Sequence, residues 1–120
     1  MKTRIKYFIP VILILFSGSI SYSQGKSKKV ITEEFSVEGV CGMCKERIEN
    51  AALIKGVKLA SWDKETEMLK VIYRKGKVSI DDIHKAVAES GHETDKVKAN
   101  EEAYNKLPDC CKYKDGTEKH

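Results

Sequence analysis

Between Val30 and Ala52 the hydrophobic pattern of this chain changes period, and two cysteines stand at the change. In "VITEEFSV", Val30 to Val37, the side chains of Ile31, Phe35 and Val37 share one face, and Thr32, Glu34 and Ser36 share the other. That alternation is the mark of a half-buried strand, although Glu33 interrupts its apolar face. Gly39 breaks the strand. From Met43 or Cys44 onward Ile48, Ala51 and Ala52 recur at helical spacing, Lys45, Glu46, Arg47 and Glu49 face out, and Gly56 in "KGV" is a natural stop. A chain that must pass from strand to helix through "GVCGMC" has few architectures open to it.

The remaining pattern narrows them. "VKLASWD" and "MLKVIY" read as two short strands about the charged turn "KET", with Leu69, Val71 and Tyr73 on one face of the second. After the loop "RKGK", Ser79 is a good N-cap, and Asp81 and Asp82 place negative charge in the first turn of a second helix. Ile80, Ile83, Ala86 and Val87 form its buried stripe, and Gly91 follows as a stop. "TDKVKA", residues 94–99, supplies a fourth short strand. The order strand, helix, strand, strand, helix, strand predicts an α+β, ferredoxin-like βαββαβ sandwich: a four-stranded antiparallel sheet with both helices on one face. Beyond Ala99, "NEEAYNKLP" predicts a short helix capped by Asn100 and ended by Pro108, and "DCCKYKDGTEKH" reads as a polar tail with loose last residues.

The first 23 residues are not counted as fold. Lys2, Arg4 and Lys6 precede the apolar run Phe8 to Phe16, and small residues follow, with Ser21 and Ser23 suiting a cut before Gln24. That layout predicts a signal peptide, and the run is well short of the ~18 apolar residues of a spanning helix. The expected product is periplasmic or secreted, with residues 24–29 as a solvated leader, 30–99 as the folded domain and 100–120 as an extension. Without Lys2, Arg4 and Lys6 the 22 basic residues fall almost level with the 18 acidic ones, so nothing calls for a nucleic-acid partner.

Four cysteines in an exported chain ordinarily suggest two disulfides, but these come as two close pairs, 41/44 and 110/111. A disulfide stabilises chiefly by closing a long loop, and a two-residue gap closes almost nothing. The first pair is therefore chemical in character. At a helix head the backbone amides and macrodipole favour thiolates, and two thiolates with two residues between them converge on one soft ion. "CGMC" holds no carboxylate or imidazole to complete a hard four-coordinate site, so copper(I) is expected first, with mercury(II) or zinc(II) behind it. Thiol–disulfide catalysis is the rival reading, and a disulfide-stapled interaction domain is a third.

Residues 30–99 resemble the heavy-metal-associated domain family, the small copper and mercury carriers and the N-terminal modules of metal-pumping ATPases. The resemblance is carried by Gly39, Cys41, Cys44, Ile48, "GV" at 56–57 and "GHE" at 91–93. It implies a ferredoxin-like sandwich, no enzymatic activity, and a metal carried on Cys41 and Cys44 at an exposed first loop. It also implies hand-over by ligand exchange to a metal-transport membrane protein or another metal-accepting domain. The family pattern G-M-x-C-x-x-C is shortened here by one residue, and Val40 takes over the packing of the missing methionine.

Further candidates surround that pair. His92 should lie beside the thiols, as a third, neutral ligand or as an ordinary half-exposed residue after a helix stop. Met43 is a packing residue at the helix start before it is a thioether ligand. Cys110 and Cys111 either join the site, directly or by disulfide, or form a separate weak metal-binding pair. Ala99 to Cys111 can span up to ~40 Å when extended, enough to fold back. Lys45 and Arg47 belong to a solvated helix face or help an acidic partner dock.

Overall fold

A computed structural model gives the fold and describes residues 29–116. The expected signal peptide, most of the leader and the last four residues lie outside the described residues. Three strands and two main helices form the body: β1 (Val30–Ser36), α1 (Gly42–Ala52), β2 (Val57–Trp62), β3 (Met68–Arg74) and α2 (Ile80–Glu89). The sheet is antiparallel throughout, in the order β1-β3-β2, with Phe35 opposite Leu69 and Trp62 opposite Leu69 from the other side. Its inward face carries Phe35, Trp62, Leu69, Val71 and Tyr73, and these join Ile48 and Ala52 of α1 and Ile83 and Val87 of α2 in one core.

Glu33, the interruption in the apolar face of β1, is explained by a partner. The Tyr73 hydroxyl donates to its carboxylate at 2.7 Å, so the edge of the core closes on a hydrogen bond instead of a methyl group. Burial and that carboxylate push the Tyr73 phenol up to about 12. The second helix forms as its cap residues dictate. Ser79 Oγ accepts from the Asp82 amide at 3.1 Å, and the Asp82 carboxylate accepts from the Ser79 amide, a complete capping box. Its buried side also includes His84, which sequence periodicity did not single out. That ring stacks on Phe35 at 3.8 Å and its Nδ1 lies 2.7 Å from Thr94 Oγ1.

The fourth strand expected over 94–99 does not form; among the described residues only the isolated bridge Val37–Thr94 stands in its place. The reason is local. Thr94 Oγ1 accepts from the amides of Lys96 and Val97, and the Thr94 amide donates to Val97 O. A hydroxyl that bonds its own following backbone offers the chain a turn in place of a ladder. The Asn100 amide then donates to Ala88 O, drawing the chain to the end of α2 instead of along the sheet edge.

Beyond that turn the chain stays on the body. Helix α3 (Glu101–Asn105) is capped by the Asn100 side chain, as its sequence predicted. Two 3-10 turns follow, Asp109–Cys111 and Tyr113–Asp115. The extension buries Leu107 in the main core, and the stretch after Pro108 that reads as a polar tail buries Cys111 there, with Tyr104, Cys110 and Tyr113 packed against it. No helix among the described residues is long and apolar enough to cross a membrane.

Candidate metal centre

The β1–α1 connection positions the thiol pair. Cys41 occupies the N-cap of α1 in extended conformation, and the Lys45 amide donates to its carbonyl at 3.0 Å. Cys44 follows in the first turn, which brings the two Sγ atoms to 3.2 Å. Beneath them lies Trp62, whose indole Nε1 donates to Val37 O at 2.9 Å and so ties the end of β2 to the end of β1. Val40 is buried beside them, in the packing role expected of it.

The thiols are not open to solvent as the sequence led us to expect. Cys41 is 3% exposed and Cys44 0%. Both belong to the hydrophobic core cluster, and the tail packs against them there. Cys111, itself 0% exposed, brings its Sγ to 3.5 Å from that of Cys41. The sulfurs of Cys41, Cys44 and Cys111 all lie within 4.8 Å of one another. All four cysteines are free thiols.

The three sulfurs differ electrostatically. Burial opposes ionisation of Cys41, but the backbone and thiol of Cys44, the thiol of Cys111 and the Met43 amide outweigh it, lowering the Cys41 thiol to about 7. Burial raises the Cys44 thiol despite the Val40 backbone and Cys111 thiol bonded to it. Cys111 is raised strongly, by burial first and then by the sulfurs of Cys44 and Cys41. One sulfur is thus ready as an anion near neutral pH, and its two neighbours must give up protons to an incoming ion.

The other candidates stand outside this group. Cys110 is only partly buried and points its Sγ at Met43 Sδ, 3.6 Å away. Met43 is half exposed on the first turn of α1, so it is not the packing residue expected, and its Sδ faces Cys110. His92 is wholly buried, not half exposed, and lies outside the cluster. Its Nδ1 donates to Glu38 O at 2.9 Å, which leaves the Nε2 lone pair buried without a partner. Burial first, and the charge of Arg47 with it, lower its pKa against the bond to Glu38, so the ring is neutral. It supports the tail instead, stacking on Tyr113 with ring centroids 5.6 Å apart. Lys45 is also occupied: it pairs with Glu49 and donates to Trp62 O at 2.9 Å, fastening α1 to the end of β2.

Tyr113 is a further residue that sequence reasoning missed. Its hydroxyl donates to Gly91 O at 2.8 Å and accepts from the Glu93 amide at 2.9 Å. Lys114 Nζ reaches Glu93 Oε1 at 3.2 Å, and the Lys114 amide donates to Tyr104 OH at 3.0 Å. Gly91 is required where α3 rests on it: its φ is +98°, and a Cβ there would lie 2.9 Å from the Tyr104 nitrogen. The signal in the sequence was an aromatic two residues after the cysteine pair, but nothing local named its partner.

No family model and no curated protein matches the sequence. Solved structures do. A structure described as CopZ metallochaperone is 32% identical over 53% of this chain and 98% of its own, with a TM-score of 0.52. The N-terminal domain of a potential copper-translocating P-type ATPase from Bacillus subtilis, in its Cu(I)-loaded state, is 31% identical over 55% of this chain and 85% of its own, at TM-score 0.52. Oxidized MerP from Ralstonia metallidurans CH34 is 26% identical over 55% and 94%, also at 0.52. Each matches a little over half of this chain and 85% or more of its own length. With the two thiols set at the same kind of strand-to-helix junction that the sequence pattern marked, the likeness extends past architecture: the chain belongs to the heavy-metal-associated domain family.

Proposed function

We propose that this protein is an exported carrier or scavenger of a soft metal ion, copper(I) before mercury(II) or zinc(II), and not an enzyme. The observation that carries the reading is the pair of Cys41 and Cys44 sulfurs 3.2 Å apart at the head of α1, with Cys111 as the only other cysteine, histidine or carboxylate in their group among the described residues. Sulfur donors select thiophilic ions, and a set with no imidazole or carboxylate is short of the four ligands that a structural zinc site takes. The relatives named as a metallochaperone and as a Cu(I)-loaded ATPase domain support copper, and MerP keeps mercury in view. Export is read from residues 1–23 and makes the natural partner a metal-transport membrane protein or a thiol-bearing acceptor domain, not a nucleic acid. Transfer is ligand exchange: an acceptor thiolate adds to the ion as a thiolate of this chain leaves, and the ion keeps its charge.

Native mass spectrometry of the reduced protein against Cu(I), Zn(II) and Hg(II) tests the reading. One Cu(I) per chain is expected, lost in the Cys41→Ser/Cys44→Ser double variant. Catalytic turnover of a disulfide substrate with no metal uptake would instead make this a redox protein. Cell fractionation, with Gln24 as the first residue of the mature chain, tests the export.

A further inference from the structure

The tail does more than cover the thiols. Cys111 lies 70 positions beyond Cys41 in sequence, yet it is fully buried with its sulfur 3.5 Å from that of Cys41. Its neighbour Cys110 is partly exposed and turned to Met43; its sulfur lies 3.9 Å from that of Cys111 but outside the three-sulfur group. Of two adjacent, chemically identical residues, the fold delivers one to the site and withholds the other.

We propose that Cys111 is a third thiolate ligand, so that the ion sits in a closed three-sulfur site whose third ligand rides on a docked tail. The proposal rests on the soft-metal reading above. Three sulfurs within 4.8 Å of one another are near enough to share one ion, with no imidazole or carboxylate among them. Uptake needs no oxidant. Each S–H bond that breaks is replaced by a metal–sulfur bond, the protons pass to solvent, and the ion keeps its oxidation state.

The mode of docking makes this ligand removable. The tail is anchored by Leu107 in the core, by the Tyr113 hydroxyl to Gly91 and Glu93, and by Lys114 to Glu93. These attachments do not involve the sheet ladders, so the segment can open as a local unit while the sandwich stays folded. Opening withdraws Cys111 and uncovers Cys41 and Cys44, which are then accessible to an acceptor's thiol. The closed state holds the ion and the open state gives it up.

The test is X-ray absorption on the reduced protein loaded with one Cu(I), together with competition against a Cu(I) chelator. Three sulfur ligands are expected in the wild type. Cys111→Ser should retain two and bind at least about tenfold more weakly, whereas Cys110→Ser should match the wild type. Two sulfurs in the wild type, which needs no variant to fold, would overturn the proposal and leave the carrier reading standing. An unchanged affinity and sulfur count in Cys111→Ser would do the same. A wild type that takes up none of Cu(I), Zn(II) and Hg(II) would overturn both.

Discussion

Gly39 and Gly42 flank the first thiol, and the structure gives them opposite tolerances. A Cβ on Gly39 would lie 3.0 Å from Trp62 Cζ2, 3.1 Å from Cη2 and 3.2 Å from the Cys44 Cβ. The indole cannot retreat, because its Nε1 is bonded to Val37 O and its ring is 1% exposed. Gly39→Ala should therefore overpack the floor of the site and destabilise the protein by ~1–3 kcal/mol, read from the urea midpoint. A Cβ on Gly42 meets nothing within 4 Å. Gly42→Ala sits in the first turn of a helix and should be neutral or stabilising by up to ~1 kcal/mol. If the two substitutions cost the same, the packing of Trp62 under the loop is wrong. Cys41 and Cys44 were legible as a site because their meaning is local, two thiols at a change of period. Trp62 was not, because its role depends on a contact across the fold with Gly39.

Elements were legible where their ends carried their own chemistry. Ser79 and Asp82 announce α2, and Asn100 announces α3, because each cap closes within three residues. The 94–99 strand was misread because period-2 spacing is blind to a threonine hydroxyl that turns the chain back on itself. The tail was legible only in part: its cysteines were candidates for the site, but its burial is carried by a few scattered residues, Leu107, Cys111 and Tyr113, too few to show a period. Its docking is testable at this scale. Tyr113→Phe removes a hydroxyl that bridges Gly91 O and the Glu93 amide, a loss of ~1 kcal/mol of tail attachment while the ring remains. That corresponds to a roughly fivefold larger open population. Alkylation of Cys41 in the reduced, metal-free protein should speed up by about that factor, with the global urea midpoint moving far less. Equal labelling rates in variant and wild type would show that the tail hydroxyl does not hold the cover down.

The whole molecule carries a pH dependence set by two buried rings, one stacked on Phe35 and one on Tyr113. His84 is 1% exposed and His92 0%, and burial depresses both below the ordinary 6.5 of an imidazole. Asp95, Asp81 and Glu33 pull His84 back upward while Lys96 pushes it down, and Arg47 pushes His92 down. In the unfolded chain both rings take up protons as the pH falls through 6.5, and in the folded chain they resist. The unfolded state then binds more protons, so stability is fully present above 6.5 and declines as the pH falls from there toward the folded-state values. The slope cannot exceed ~1.4 kcal/mol per pH unit for each ring. Cys41, lowered to about 7, tilts the curve only above that pH. Glu38, raised by burial and by Glu93 and Glu67, tilts it the opposite way toward pH 5, so the clean window is 6.5 to 5.5. Urea unfolding of the reduced, metal-free protein should give a lower midpoint at pH 5.5 than at 6.5. His84→Gln, which keeps a polar partner for Thr94 but cannot titrate, should remove a good part of that difference. A midpoint that stays level across the window in the wild type would mean that the two rings are already protonated inside the fold, against the neutral Phe35–His84 stack and the lone pair assigned to His92 Nε2.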